Sequence, residues 1–174
     1  VNARDATLAY DAGHHANAPP APEYTMSIDN ETLRTMAAKG IPFVANTGIE
    51  VEVLEKGYTK MRLPFAPNKN HVGTVYAGAL FTLAELPGGA IFMTSFDTSR
   101  FYPIVRDMSI RFRRPATTDV WVEVKVSDEF VQKVQAEADA NGKADYEWEC
   151  ELKDANGTVV AITKNIYQLR KIGT

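Results

Sequence analysis

Residues 74–95 run Thr-Val-Tyr-Ala-Gly-Ala-Leu-Phe-Thr-Leu-Ala-Glu-Leu-Pro-Gly-Gly-Ala-Ile-Phe-Met-Thr-Ser, and they constrain this chain more than any other stretch. They read as a helix, entered from the loop Asn70-His71-Val72-Gly73, that is apolar on nearly every face. A surface helix keeps a polar side, so this one is expected inside the protein. It carries one carboxylate, Glu85. A buried carboxylate is costly unless it is paired, neutralised or put to use. Pro87 withholds a backbone donor inside the helix, which predicts a kink just after Glu85.

Around the helix the period is two. Ile49, Val51 and Val53 alternate with Glu50 and Glu52, and Glu55-Lys56-Gly57 turns the chain. Thr59, Met61, Leu63 and Phe65 then alternate with Lys60 and Arg62 on a return strand that Pro64 and Pro67 end. Beyond the helix, Met108, Ile110 and Phe112 share a face opposite Ser109, Arg111 and Arg113. Val120, Val122, Val124 and Val126 alternate with Trp121, Glu123 and Lys125. Tyr146, Trp148, Cys150 and Leu152 alternate with Glu147, Glu149, Glu151 and Lys153. A turn at Asp154-Ala155-Asn156-Gly157 leads to a last strand over 158–169. Residues 128–140 read as a short helix or an irregular excursion ending at Asn141-Gly142. Ahead of the strands, a short helix from Ser27 or Asp29 presents Leu33, Met36 and Ala37 on one face, and Gly40 and Pro42 stop it. Phe92, Phe96, Phe101 and Tyr102 read as core or pocket lining. The layout is α+β: an antiparallel sheet of about six strands, a central helix at about 74–95 on one face, and water on the other.

The length of 174 residues fits one domain with a real core. We expect an N-terminal extension over 1–25, Ala-rich with Pro19, Pro20 and Pro22 and without a sustained period, and a single domain over 26–174. Met26 stands where an initiator would, which would make the extension an upstream addition. A net charge of −3 gives no reason to expect nucleic acid or an anionic membrane surface as partner. The single cysteine, Cys150, excludes an internal disulfide and multi-cysteine zinc patterns, and suits a reducing, cytoplasmic setting. No apolar run approaches the roughly 20 residues of a membrane span, and no signal peptide is legible. His14-His15 lacks a third ligand nearby and reads as surface decoration. No metal and no cofactor is expected.

The order of elements, the Asn-His-x-Gly-Thr loop at 70–74, the run Tyr76-Ala77-Gly78-Ala79-Leu80-Phe81-Thr82-Leu83-Ala84-Glu85 and the later Phe112-Arg113-Arg114-Pro115-Ala116 resemble the hotdog-fold superfamily. The closest resemblance, over roughly residues 45–170, is to its acyl-CoA thioesterases of the phenylacetate-pathway type and their relatives. It implies a sheet wrapped around the central helix, and homodimers or dimers of dimers with two equivalent sites at the subunit interface. It also implies an acyl-CoA or acyl-carrier-protein thioester as substrate. Glu85 then falls at the position of the carboxylate that acts as base or nucleophile. Ala77, eight residues earlier, supplies the backbone N–H that polarises the carbonyl, and Asn70 is the polar residue of the loop. His71, Gly73, Tyr76, Gly78, Thr82, Arg113 and Arg114 are the expected substrate-binding positions. Many such thioesterases carry His-Gly-Gly where this chain has Tyr76-Ala77-Gly78, and Asp where it has Glu85.

The residues agree with that chemistry. A helix start offers free N–H groups and the positive end of the dipole to a developing oxyanion. Gly78 would let an acyl group approach the backbone closely. Gly78, Thr82, Glu85 and Gly89 follow i, i+4, i+7, i+11 and form one small, polar stripe, with Thr82 placed to orient water. Desolvation should raise the pKa of Glu85. Structural readings stand beside these. Glu85 also suits a dimer-interface carboxylate, Asn70 a loop terminator and His71 a loop or cap residue. Arg113 and Arg114 suit either the phosphates of CoA or a solvated sheet face, and Arg111 the latter. Two functions compete: a thioester hydrolase, and a non-catalytic hotdog protein that binds an acyl or aromatic ligand or serves as a dimeric module. A hotdog dehydratase would need an Asp/His pair, and the spacing of His71 and Glu85 argues against it.

Overall fold

Alternation of apolar and charged residues builds six strands, and the two-faced sheet they make has one side to cover. The computed structural model describes residues 29–173, so the expected extension at 1–25, the His14-His15 pair and Ser27 lie outside the described residues. The chain runs α1 (Asn30–Lys39), α2 (Pro42–Thr47), β1 (Glu50–Glu55), β2 (Tyr58–Leu63), a 3-10 turn (Ala66–Asn68), α3 (Ala77–Glu85), α4 (Pro87–Ser95), β3 (Phe101–Phe112), β4 (Val120–Lys125), α5 (Asp128–Asn141), β5 (Lys143–Asp154) and β6 (Val159–Lys171). The strands form one antiparallel sheet in the order β1-β2-β4-β5-β6-β3. It wraps around α3 and α4, which pack on strands from both halves of the sheet. This is the hotdog fold.

The core lies between helix and sheet. Leu83 and Ile91 on the helix and Met61, Leu63, Val120, Leu152 and Leu169 on the strands have essentially no exposed surface. Each large apolar side chain so buried contributes about 2 kcal/mol. The opposite face carries Glu147, Glu149, Glu151, Lys153 and Lys164 to solvent, as the alternation requires. Ala77–Ser95 spans 19 residues and is long and apolar enough to cross a membrane by length and composition. That corrects the expectation that no run approaches such a length, and these residues are spent on the inside of the sheet.

Several local expectations are revised. Asp29 caps α1, its carboxylate accepting from the Thr32 amide at 2.8 Å. The buried residue of α1 is Ala38, whereas Met36 is half exposed. Pro42 does not simply end the helical run; it opens α2 at its first turn, where a missing N–H costs nothing. A bulge between Val51 and Val53 shifts the phase of β1, so Leu54 points into the core. The strand read around Met108 begins earlier, at Phe101. Tyr102, expected as core or pocket lining, is exposed because it alternates with buried Phe101 along β3 and points to the other face, and Phe112 is half exposed at that strand's end. Phe92, Phe96 and Phe101 are buried as expected. Residues 128–141 are a full helix, ended by Gly142 at φ 75°.

Candidate active site

The start of α3 is fixed by the loop before it. The Oδ1 of Asn70 accepts from the amides of Val72 and Thr74, both at 3.0 Å, and its Nδ2 donates to the Thr74 hydroxyl at 2.9 Å. Gly73, at φ 86°, supplies the left-handed residue that closes this turn. The Tyr76 amide donates to the Asn68 carbonyl at 2.8 Å, and buried Asn68 reaches back to the carbonyls of Thr47 and Pro64 at 2.7 and 2.8 Å. With its entry so held, α3 begins at Ala77. The amides of Ala79 and Leu80 both donate to the Tyr76 carbonyl, which leaves those of Ala77 and Gly78 without an intrahelical acceptor.

Ala77 lines a cavity of about 420 Å³ together with Asn70, Thr74, Phe112, Arg113 and Arg114. The guanidinium groups of Arg113 and Arg114 have no ion-pair partner among the described residues, whereas Arg62, Arg100 and Arg106 are each matched to an aspartate. Their backbone amides both donate to the Val160 carbonyl, so the main chain that carries them is fixed. Positive charge, a helix N-terminus and a partly apolar wall therefore meet in one place.

Glu85 sits eight residues along the helix, about 12 Å at the rise of an α-helix. It borders a second, smaller cavity of about 220 Å³, lined by Met36, Ile41, Gly89, Phe92 and Met93. Its carboxylate has no hydrogen-bond or ion-pair partner among the described residues. Burial alone pushes its pKa above the ordinary carboxyl value. The helical ladder is interrupted directly after it. Leu86 donates to the Thr82 carbonyl at 3.3 Å and Ala90 to the Leu86 carbonyl at 3.2 Å, with Pro87 between them lacking a donor. The expected kink is thus a break that separates α3 from α4 at Leu86.

Of the residues singled out from the sequence, the first cavity gathers Asn70, Ala77, Arg113 and Arg114. Glu85 stands apart within one chain. The stripe facing outward is Ala77, Phe81, Glu85 and Gly89, not the small polar one expected. Thr82 is buried and its hydroxyl donates to the Gly78 carbonyl at 2.9 Å, which takes it away from water. The space left by the missing Cβ of Gly78 is filled by the Tyr76 ring, 2.5 Å from where that atom would lie, so it is not free for an acyl group. Asn70 is committed to its own loop. His71 is exposed and Gly73 serves the turn. Sequence reasoning missed Asn68, Phe112, and the pair Asn165 and Tyr167 of β6. The legible signal for that pair was a run of inward positions, Thr163, Asn165 and Tyr167, that is polar where a core strand should be apolar.

Residues 29–167 match the family described as a domain of unknown function, DUF4442. A crystal structure of a Pseudomonas aeruginosa protein of unknown function, described as a probable thioesterase, is 51% identical, with a TM-score of 0.81 over 84% of this chain and 98% of that one. This chain belongs to the DUF4442 family, within the hotdog-fold thioesterase superfamily. More distant structures share the architecture. A thioesterase from Haemophilus influenzae, 12% identical, superposes with a TM-score of 0.63 over 86% of this chain and 94% of that one. A thioesterase variant from Pseudomonas aeruginosa, 16% identical, gives 0.64 over 85% and 98%. Both show the fold. Among curated proteins none matches.

Proposed function

We propose that the protein hydrolyses an acyl thioester, with acyl-CoA as the substrate favoured over an acyl-carrier protein. The observation that carries this reading is Glu85: a half-buried carboxylate on the central helix, without a cation or donor to satisfy it among the described residues, at the edge of an apolar cavity. A structural carboxylate so placed would be expected to have a partner. A carboxylate made more basic by burial is suited to taking a proton from water.

In the proposed reaction Glu85 takes a proton from water as the hydroxide adds to the thioester carbonyl carbon. The Ala77 amide donates to the resulting oxyanion. When the intermediate collapses, the C–S bond breaks and the thiolate takes the proton back from the Glu85 carboxyl. The products are a carboxylic acid and CoA thiol. The helical rise of about 12 Å from Ala77 to Glu85, and their separate cavities, argue against one chain acting on one carbonyl. The reading therefore takes a homodimer as the working unit, with Glu85 of one protomer acting on a carbonyl held at Ala77 of the other. Arg113 and Arg114, without anionic partners among the described residues, suit the phosphates of CoA.

Thiol release across short, medium, long and aryl CoA esters tests this. Hydrolysis that is lost in Glu85→Gln supports the reading; hydrolysis that survives that change overturns the role of Glu85. Arg113→Ala with Arg114→Ala should raise KM about tenfold for a CoA ester and leave an N-acetylcysteamine ester, which lacks the nucleotide, unaffected. The second reading, a ligand-binding hotdog protein, is favoured by the Tyr76 ring over Gly78 at the proposed oxyanion end. Tight ester binding with no thiol released by any ester would select it.

A further inference from the structure

The helix break beside Glu85 is bridged from the sheet. Between the closing bonds at Leu86 and Ala90, the carbonyls of Ala84 and Glu85 turn to side chains of β6. Asn165 Nδ2 donates to the Ala84 carbonyl at 2.7 Å, and the Tyr167 hydroxyl donates to the Glu85 carbonyl at 3.3 Å. Asn165 Nδ2 also donates to the Tyr167 oxygen at 3.0 Å, tying the two together. Asn165 is fully buried and Tyr167 2% exposed.

The surroundings are shaped for this contact. A Cβ on Gly88 would lie 2.2 Å from the Tyr167 ring, so the first turn of α4 admits Tyr167 only because it lacks one. The ring is held in turn by Tyr146 at 5.4 Å and Trp148 at 4.7 Å between centroids. Asn165 has a cost: its Oδ1 is buried without a donor among the described residues. A sheet optimised for stability alone would place an apolar residue at this position. What the pair achieves is to fix the last turn of α3 while the ladder is open.

We propose that Asn165 and Tyr167 are positioning residues that set the orientation of Glu85, holding the carboxylate-bearing turn through its backbone carbonyls. The proposal rests on the hydrolase reading for its kinetic consequence, but the geometry can be tested without turnover. Tyr167→Phe keeps the ring and its stacking and removes the hydroxyl, with its bond to the Glu85 carbonyl and the one it accepts from Asn165; Asn165→Ala removes both bonds that Nδ2 donates. Each is compared with wild type and Glu85→Gln in thiol release, thermal unfolding and titration of the Glu85 carboxyl by carbon-13 NMR. Tyr167→Phe should lower kcat about tenfold at unchanged KM, a smaller loss than the roughly 100-fold that a misplacement of about 1 Å can cost. The acidic limb of kcat and the Glu85 titration should both move toward the ordinary carboxyl value as water reaches the group. Asn165→Ala should move them further. A lowered unfolding temperature with kcat and titration as in wild type would make the pair merely structural and overturn the proposal. If wild type releases no thiol, the hydrolase reading falls, and the titration decides the positioning role by itself.

Discussion

Glu85 is unpaired among the described residues, half buried and held above the ordinary carboxyl pKa of 4.5, and this sets the sign of its effect on stability. Below that ordinary value the group is protonated in folded and unfolded chains alike and carries no penalty. As the pH rises through the raised native value, the folded chain must ionise a desolvated carboxyl, and stability is lost. Glu85→Gln should therefore raise the unfolding temperature at pH 8 and gain little at pH 4, while abolishing turnover. Thermal scans at the two pH values check this. Asn70 is the opposite case. Its amide makes three hydrogen bonds within its own loop, so Asn70→Ala should cost about 2 kcal/mol in urea unfolding. The position of Glu85 on a buried helix was legible in the sequence because apolar residues surround it on every face. That Asn70 turns inward to its loop was not, since an amide in a loop fits equally well to solvent, substrate or its own backbone.

The central helix shows what a pattern of residues can and cannot specify about an element. Pro87 removes one donor, and a break follows from covalent chemistry alone. How the freed carbonyls are satisfied depends on β6, some 80 residues downstream, and on the missing Cβ at Gly88. Gly88→Ala should drive a methyl group into the Tyr167 ring and destabilise the protein by about 2 kcal/mol. An unchanged urea m-value would show that the native state alone is affected. The strands carry the same lesson. Alternation placed β2, β4 and β5 correctly, because each has neighbours on both sides and one buried face. It missed the phase change in β1, where a bulge shifts the register, and the first half of β3, where an edge strand need not alternate.

At the level of the whole molecule, β3 leaves one edge of the sheet unpaired among the described residues and exposes Tyr102, Ile104 and Val105. Open, apolar edges are templates for pairing, and a lysine on one blocks it. If two copies pair here and share their sites, Val105→Lys should yield a monomer by light scattering and lose thiol release, though Glu85 is untouched. A monomeric, active variant would remove the dimer from the mechanism.

The sequence by itself determined the α+β layout, the buried helix, its break and its lone carboxylate, because periodicity, proline chemistry and the cost of burying charge act over a few residues. Only the tertiary structure decided which way side chains turn when several partners are within reach. It directed Thr82 to a carbonyl, Tyr76 over Gly78, and Asn165 and Tyr167 to the turn that carries Glu85. It also separated Ala77 from Glu85 by two cavities on one helix. Such choices are made by contacts between residues far apart in the chain, and no local pattern records them.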